Sequence, residues 1–328
     1  MKHVLNELIE HQSLTKQEAR QVLVDLASGK YNPSQVSSFM TVYMMRNITV
    51  EELEGFRDAM LELCVPVNFD KPVMDVCGTG GDGKNTFNIS TLSAFVVAGA
   101  GQLVAKHGNY GVSSACGSSN VLEYFGYKFT NNVDELKRSL DRANICFMHA
   151  PLFHPAMKNV APIRKELGVK TFFNMLGPMV NPARPERQLV GVFNLELARQ
   201  YGYLYQETDK SFVILHGLEG YDEISLTGPF KYYFNKGERI ATPADLGLPR
   251  VQYADISGGD SVQESAEIFL NVLEGKGTRQ QNAAVIANSA MALFCTDQDA
   301  GIEAAVVKAT ESLISGKANE VFKRMLDK

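Results

Sequence analysis

The sequence predicts an α/β protein. A small all-helical N-terminal domain, residues 1–66, precedes a larger α/β domain, residues 67–328, whose mainly parallel sheet is flanked by helices. Three observations predict this. The 328 residues suit about two domains. Up to residue 66 apolar residues recur only at three- and four-residue spacing. From Pro72 onward short β-rich runs alternate with helical patterns, as βαβ units do.

The first helix is expected over 3–11, where Leu5, Leu8 and Ile9 share a face. Thr15 with Glu18, and Thr49 with Glu52, fit the capping box, in which hydroxyl and carboxylate each satisfy a free backbone N–H. Asn32 before Pro33 fits an N-cap with proline at the first helical position. Behind these starts lie Ala19, Val22, Leu23 and Leu26, then Val36, Phe39, Met40 and Tyr43, then Leu53, Phe56, Met60 and Leu63. Four short helices make a small core, so their spare apolar faces need cover, from the main domain or from a second copy of the chain.

In the larger domain, runs at 73–77, 103–106, 145–149, 189–193 and 212–215 read as strands, with 231–234 as an antiparallel edge. Helical spacing covers 133–142, 157–167 and 195–204. Further helices are expected around Ala266, Phe269, Leu270 and Leu273, then over 283–294 and 302–314.

Composition excludes several function classes. Lys plus Arg number 32 and Asp plus Glu 37, a net charge of −5, which argues against duplex nucleic acid as a partner. The five cysteines, Cys64, Cys77, Cys116, Cys146 and Cys295, form no C-x-x-C pair, so a reducing cytoplasm is the expected compartment. The N-terminus has no signal-peptide pattern, and the longest apolar stretch, 94–101, is far short of the roughly 18 residues that span a bilayer, so no membrane association is expected.

Directly after the first expected strand comes Gly78-Thr79-Gly80-Gly81-Asp82-Gly83, which matches G-x-G-x-x-G. A dinucleotide reading fails on context. The motif should open a helix and be followed about 20 residues on by a ribose-binding acid. Here the next helix is expected only at Ser90 or Thr91, and the following strand ends in Lys106. Asn88-Ile89-Ser90-Thr91 instead offers free N–H groups, hydroxyls and an amide at a helix start, a place for phosphate. Lys106-His107-Gly108-Asn109 closes the next strand, and its lysine is expected to act as a point charge for phosphate. Gly111, Ser113, Ser114, Gly117 and Ser118 follow as a loop able to close over a ligand.

The segments Asp75-Val-Cys-Gly-Thr-Gly-Gly-Asp82 and Lys106-His-Gly-Asn109 together resemble the anthranilate phosphoribosyltransferase family. So do His154-Pro-Ala-Met-Lys-Asn-Val-Ala-Pro-Ile-Arg164, Phe173-Asn-Met-Leu-Gly-Pro-Met-Val-Asn-Pro182 and Gly220-Tyr-Asp-Glu223, in that family's order and along the whole chain. The resemblance implies a transferase of tryptophan biosynthesis, usually a cytoplasmic homodimer. It implies phosphoribosyl pyrophosphate and anthranilate as substrates and Mg2+ as cofactor, with two ions per active site.

By that resemblance Gly78, Gly81, Asp82, Thr86, Asn88, Ile89, Ser90 and Thr91 form the phosphoribosyl pyrophosphate cradle. Lys106, His107, Gly108, Asn109, Tyr110, Gly111, Val112, Ser113, Ser114 and Ser118 form the loop over the pyrophosphate. Asp222 and Glu223 are implied as magnesium ligands, with Ser90 joining a second ion; adjacent hard carboxylates suit an ion that keeps much of its water. Arg164 and Asn109 match the anthranilate-binding residues, with Gly78, His107, His154 and Pro178 lining the acceptor channel. Arginine suits an aromatic carboxylate because its planar fork pairs with both oxygens. Asn174, Gly177, Pro178 and Asn181 are expected to shape a turn beside the pocket, and no residue is assigned as general base.

Two positions depart from the family pattern. Tyr110 stands where the family has arginine, and Asn120 where aspartate is common. Two alternative functions compete with the transferase reading. A pyrimidine-nucleoside phosphorylase would carry a lysine before the glycine loop, which is absent here. A non-catalytic nucleic-acid-binding relative would need a basic face and a disrupted Asp222-Glu223 pair.

Overall fold

The computed structural model describes residues 1–111 and 115–327. Four helices open the chain: α1 (Lys2–Ile9), α2 (Lys16–Ala27), α3 (Pro33–Met45) and α4 (Val50–Leu63). The expected caps form at Thr15, Asn32 and Thr49, each a reciprocal capping box. Then come β1 (Met74–Gly78), α5 (Ile89–Gly99), β2 (Val104–Gly108), α6 (Ser118–Tyr124), α7 (Val133–Ala143) and β3 (Ile145–His149). Three short helices follow, α8 (Ala150–Phe153), α9 (Ala161–Leu167) and α10 (Phe173–Leu176), interspersed with 3-10 turns at Pro155–Asn159 and Gly177–Val180. The sheet resumes with β4 (Arg187–Gly191), α11 (Leu195–Gln206), β5 (Ser211–Gly217), β6 (Phe230–Phe234) and β7 (Gly237–Ala241). The chain closes with α12 (Val262–Leu273), α13 (Arg279–Thr296), α14 (Gly301–Ile314) and α15 (Lys317–Leu326).

The chain divides into two compact units: Ala150–Pro182 clusters with Met1–Val67 in the first, and Asn68–His149 with Ala183–Lys328 in the second. The spare aromatic face of α3 and α4 accounts for this grouping. Phe39, Tyr43 and Phe56 surround Phe172, whose ring stacks on Phe56 at 4.6 Å. Phe172 is 1 % exposed, a burial that contributes about 1.5–3 kcal/mol. Main-chain bonds from Val65 to Phe153 and from Val67 to Pro182 fasten the segment. Inside this unit the buried carboxylate of Glu52 accepts from the N–H groups of Leu14 and Thr49, from the Tyr43 hydroxyl and from Arg46. The helix expected over 157–167 is split, because Pro162 has no N–H to continue the earlier turn and instead starts α9.

The second unit holds a seven-stranded sheet in the order β3-β2-β1-β4-β5-β6-β7. Strands β1 to β5 run parallel, while β6 and β7 are antiparallel additions. The sequence reading missed β7, whose middle residues Glu238, Arg239 and Ile240 are exposed and show no buried alternation. It also missed α6 and α15. Helix α13 is buried along its whole stretch from Ala283 to Cys295, so it sits inside the unit's core with α5, which has apolar residues on every side. All five cysteines are buried and unbridged. Among the described residues no helix is long and apolar enough to cross a membrane.

Candidate active site

Strand order reverses between β1 and β4, and a cleft opens beyond the carboxyl ends of the strands there, where ligands of open α/β sheets bind. Three loops line it: the glycine loop after β1, the loop after β2 and the turn after β5. Gly80, Gly81 and Gly83 have φ of 62°, 76° and 74°, the left-handed region in which a side chain is strained, so the loop folds tightly only with glycine. Thr79 donates its N–H to the Gly191 carbonyl at the end of β4. The next stretch is fixed against 256–259 by main-chain bonds from Phe87 to Ile256 and from Gly258 to Asn85.

Carboxylates gather at the cleft floor. Asp222 accepts the N–H of Gly80 at 2.7 Å, and its own N–H donates to Asp82 at 3.4 Å. Glu223 accepts the N–H of Ser90 at 3.0 Å and the Thr86 hydroxyl at 3.2 Å. Burial, then the charges of Glu223 and Asp82, hold Asp222 well above the usual carboxylate range. Burial and Asp82 push Glu223 up to about 8, while its bonds from Ser90 and Thr86 pull the other way. Such a set, hard oxygens short of positive charge, fits a divalent cation. Among the described residues no three His, Cys, Asp or Glu side chains close on a metal by themselves, so an ion here would need further oxygens from ligand or water.

The expected donor residues largely meet in this cleft. Gly78, Gly81, Asp82, Thr86, Asn88, Ser90, Thr91, Lys106, His107, Gly108, Gly111 and Ser118 line it together with Asp222 and Glu223. Three differ from their expected roles. Ile89 is fully buried in the core, and its N–H goes to the Phe87 carbonyl. Lys106, 2 % exposed, donates its ammonium to the Val76 carbonyl at 2.6 Å rather than standing free at the strand end. At the start of α5 the Ser90 N–H is held by Glu223, so a side-chain carboxylate already occupies part of the helix terminus read as a phosphate seat.

Asn109 and Tyr110 do not line the cleft. The Asn109 side chain accepts from the Tyr110 N–H, and its carbonyl accepts from the N–H of Ser119 and the Ser118 hydroxyl. Tyr110 packs edge-on to His149 and reaches Glu123. Asn120 accepts the N–H groups of both Gly111 and Gly117, pinning the two sides of the loop together. Val112, Ser113 and Ser114 lie outside the described residues.

The expected acceptor residues Arg164, His154 and Pro178 belong to the first unit. Arg164 lies over the Phe173 ring at 5.1 Å and donates to Asn174 at 3.3 Å. No carboxylate pairs with it among the described residues, and burial lowers its pKa. Asn174 accepts from the Thr171 N–H as well, the turn-shaping role expected of it. Burial pushes the His154 imidazole down to about 4, so it is neutral at pH 7.

Sequence reasoning missed Lys84, which lines the cleft with its ammonium 4.7 Å from the centre of the Tyr221 ring. It also missed Asn288, which holds the backbone beside Glu223. The only signal for Asn288 is a lone carboxamide in an alanine-rich apolar run.

Comparison with known proteins agrees with this geometry. Residues 70–319 match the family model for the glycosyl transferase family a/b domain, and residues 2–64 match that family's helical bundle domain. The chain is 58% identical over 326 residues to anthranilate phosphoribosyltransferase of Christiangramia forsetii, covering 99% of this chain and 98% of the relative. The crystal structure of anthranilate phosphoribosyltransferase from Thermus thermophilus superposes with a TM-score of 0.91 at 31% identity, covering 98% of each chain. The Saccharomyces cerevisiae enzyme in complex with PRPP and Mg gives a TM-score of 0.91 at 26% identity, covering 98% of this chain and 96% of that one.

Proposed function

We propose, from the premise that this chain belongs to the anthranilate phosphoribosyltransferases of the glycosyl transferase family, that it transfers 5-phosphoribosyl from phosphoribosyl pyrophosphate to the amino group of anthranilate. The products are N-(5-phosphoribosyl)anthranilate and pyrophosphate, a step of tryptophan biosynthesis. The observation that carries this reading is the convergence of Asp82, Asp222 and Glu223 beside a glycine loop and a helix start in one cleft.

The donor lies across the glycine loop, with Thr86, Asn88 and Thr91 offering donors to its phosphate. Asp222 and Glu223, with Ser90 beside them, would hold Mg2+, in our reading two ions, completed by donor oxygens and water. Bound there, Mg2+ supplies positive charge where pyrophosphate gains negative charge. Arg164 receives the acceptor carboxylate, its fork kept in place by Phe173 and Asn174. His154 and Pro178, in the same unit as Arg164, frame the same acceptor. His154, held neutral, contributes shape and a hydrogen bond rather than charge.

The acceptor nitrogen approaches C1 from the face opposite pyrophosphate. The C1–O bond breaks ahead of C1–N bond formation, because an aryl amine is a weak nucleophile, and the bonding pair leaves with pyrophosphate. Configuration at C1 inverts. The amine proton passes to the acceptor's own carboxylate, so no protein base is required, and the gain from the protein is chiefly positioning and electrostatics. The working unit is a cytoplasmic homodimer in our reading.

The test follows anthranilate fluorescence with the purified chain. Fluorescence should fall only when anthranilate, phosphoribosyl pyrophosphate and Mg2+ are all present, and should hold steady with Asp222→Asn/Glu223→Gln protein. A fall independent of Mg2+, or no fall at all, would overturn the assignment.

A further inference from the structure

Three carboxylates facing one cleft repel one another, so a loop carrying two of them tends to swing outward unless something restrains it. The turn after β5 is restrained from beneath, by a residue of the buried central helix. Asn288 is 3 % exposed. Its side-chain oxygen accepts the N–H of Ile224 at 3.0 Å, and its side-chain nitrogen donates to the carbonyls of Ile224 and Ala284, each at 2.9 Å. The carboxamide therefore pairs with both polar groups of the residue directly after Glu223, as a neighbouring strand would. Between Ala283 and Cys295 it is the only carboxamide, and its neighbour Ser289 bonds back to Val285 of its own helix.

An apolar side chain of similar size would fill the same volume. It would leave the N–H and C=O of Ile224 buried without partners, and these would be satisfied only if the turn moved toward water. That movement would carry Glu223 away from Ser90 and Thr86, and Asp222 away from Gly80.

We propose that Asn288 is a positioning residue for the Asp222–Glu223 pair: through the Ile224 backbone it holds both carboxylates in the cleft in readiness for the cation. The inference rests on the reading of Asp222 and Glu223 as metal ligands. Asn288 touches neither substrate nor ion, and its effect is confined to the metal and the donor that shares it.

The test titrates Mn2+ into the full chain in the presence of phosphoribosyl pyrophosphate and without anthranilate, reading free Mn2+ by electron paramagnetic resonance. Asn288→Leu should weaken Mn2+ binding at least tenfold. Its turnover should recover as metal is raised, and its KM for anthranilate at saturating metal should stay within twofold. Ser289→Ala, a control equally buried, should bind Mn2+ as the unaltered chain does. If Asn288→Leu does not fold, Asn288→Ser is read in its place. Unchanged Mn2+ binding in the variant overturns the proposal. So does a loss of metal and anthranilate affinity in equal proportion that added metal does not restore. Failure of the unaltered chain to bind Mn2+ with the donor present is a separate result, and it removes the metal-ligand reading itself.

Discussion

The backbone N–H of Ser90, in the first turn of α5, donates to Oε1 of Glu223 at 3.0 Å across 133 residues of sequence. The helix start and the acidic turn are thereby one structural object, with the positive end of the helix facing a carboxylate. Glu223→Gln has nearly the same shape and keeps an oxygen for Ser90, but it removes the charge. Turnover should fall by about 10²–10³, as expected for loss of one electrostatic group at a reacting centre. The thermal midpoint should stay within about 4 °C of the unaltered protein. A folded variant with full turnover would contradict the role given to Glu223.

Two glycines leave room for Asp222, and adding a methyl group at each should have ranked effects. A Cβ on Gly78 would stand 2.5 Å from the Asp222 carboxylate oxygen, whereas one on Gly191 would stand 1.6 Å from its main-chain carbonyl oxygen. A carboxylate can rotate away, but the backbone can move only by displacing the turn. Gly78→Ala should cost about 1–3 kcal/mol and Gly191→Ala more, with donor KM raised in both. Denaturant midpoints and donor titrations measure the ranking, and equal stability in the two variants would refute it.

Arg164→Lys tests the acceptor fork. Lysine keeps the charge but loses the planar pair of donors and the stacking on Phe173. The KM for anthranilate should rise about 10- to 100-fold, equivalent to about 1.4–2.8 kcal/mol, with the donor KM unmoved. A rise in donor KM alone would assign Arg164 to the other substrate.

The first unit should lose stability in acid for two distinct reasons. Burial raises the Glu52 pKa, but bonds from Arg46, Thr49 and Leu14 outweigh it and hold the group below its ordinary 4.5. Its contribution is complete above 4.5 and lost as pH falls through the lower folded value. Arg46→Met leaves that buried carboxylate without its cation and should cost about 3–5 kcal/mol near pH 7.

His154 acts at higher pH. Folding lowers its pKa from 6.5 to about 4, so between those values the unfolded chain binds a proton that the folded chain excludes. Stability should decline as pH falls from 6.5 toward 4, and His154→Gln should flatten that part of the curve. Denaturation midpoints measured across the acid range up to neutrality check both groups. An unchanged slope in the His154 variant would show that the imidazole is protonated in the folded state.

The sequence alone determined whatever depends on neighbours within a few residues. Thr15, Asn32 and Thr49 start helices because their side chains satisfy N–H groups three residues away. The five parallel strands announce themselves as buried β-rich runs between helices, and the glycine loop and the Asp222-Glu223 pair are each an unbroken run of neighbouring residues. Tertiary structure alone decided the rest, because those relationships join residues far apart that no periodicity links. Phe172, far along the chain from α3 and α4, fills an aromatic gap between them. The Lys106 ammonium turns to the Val76 carbonyl because burial demands a partner. Asn288 meets Ile224 across 64 residues. Such pairings are chosen by which buried polar groups and apolar faces remain unsatisfied once the local elements have formed.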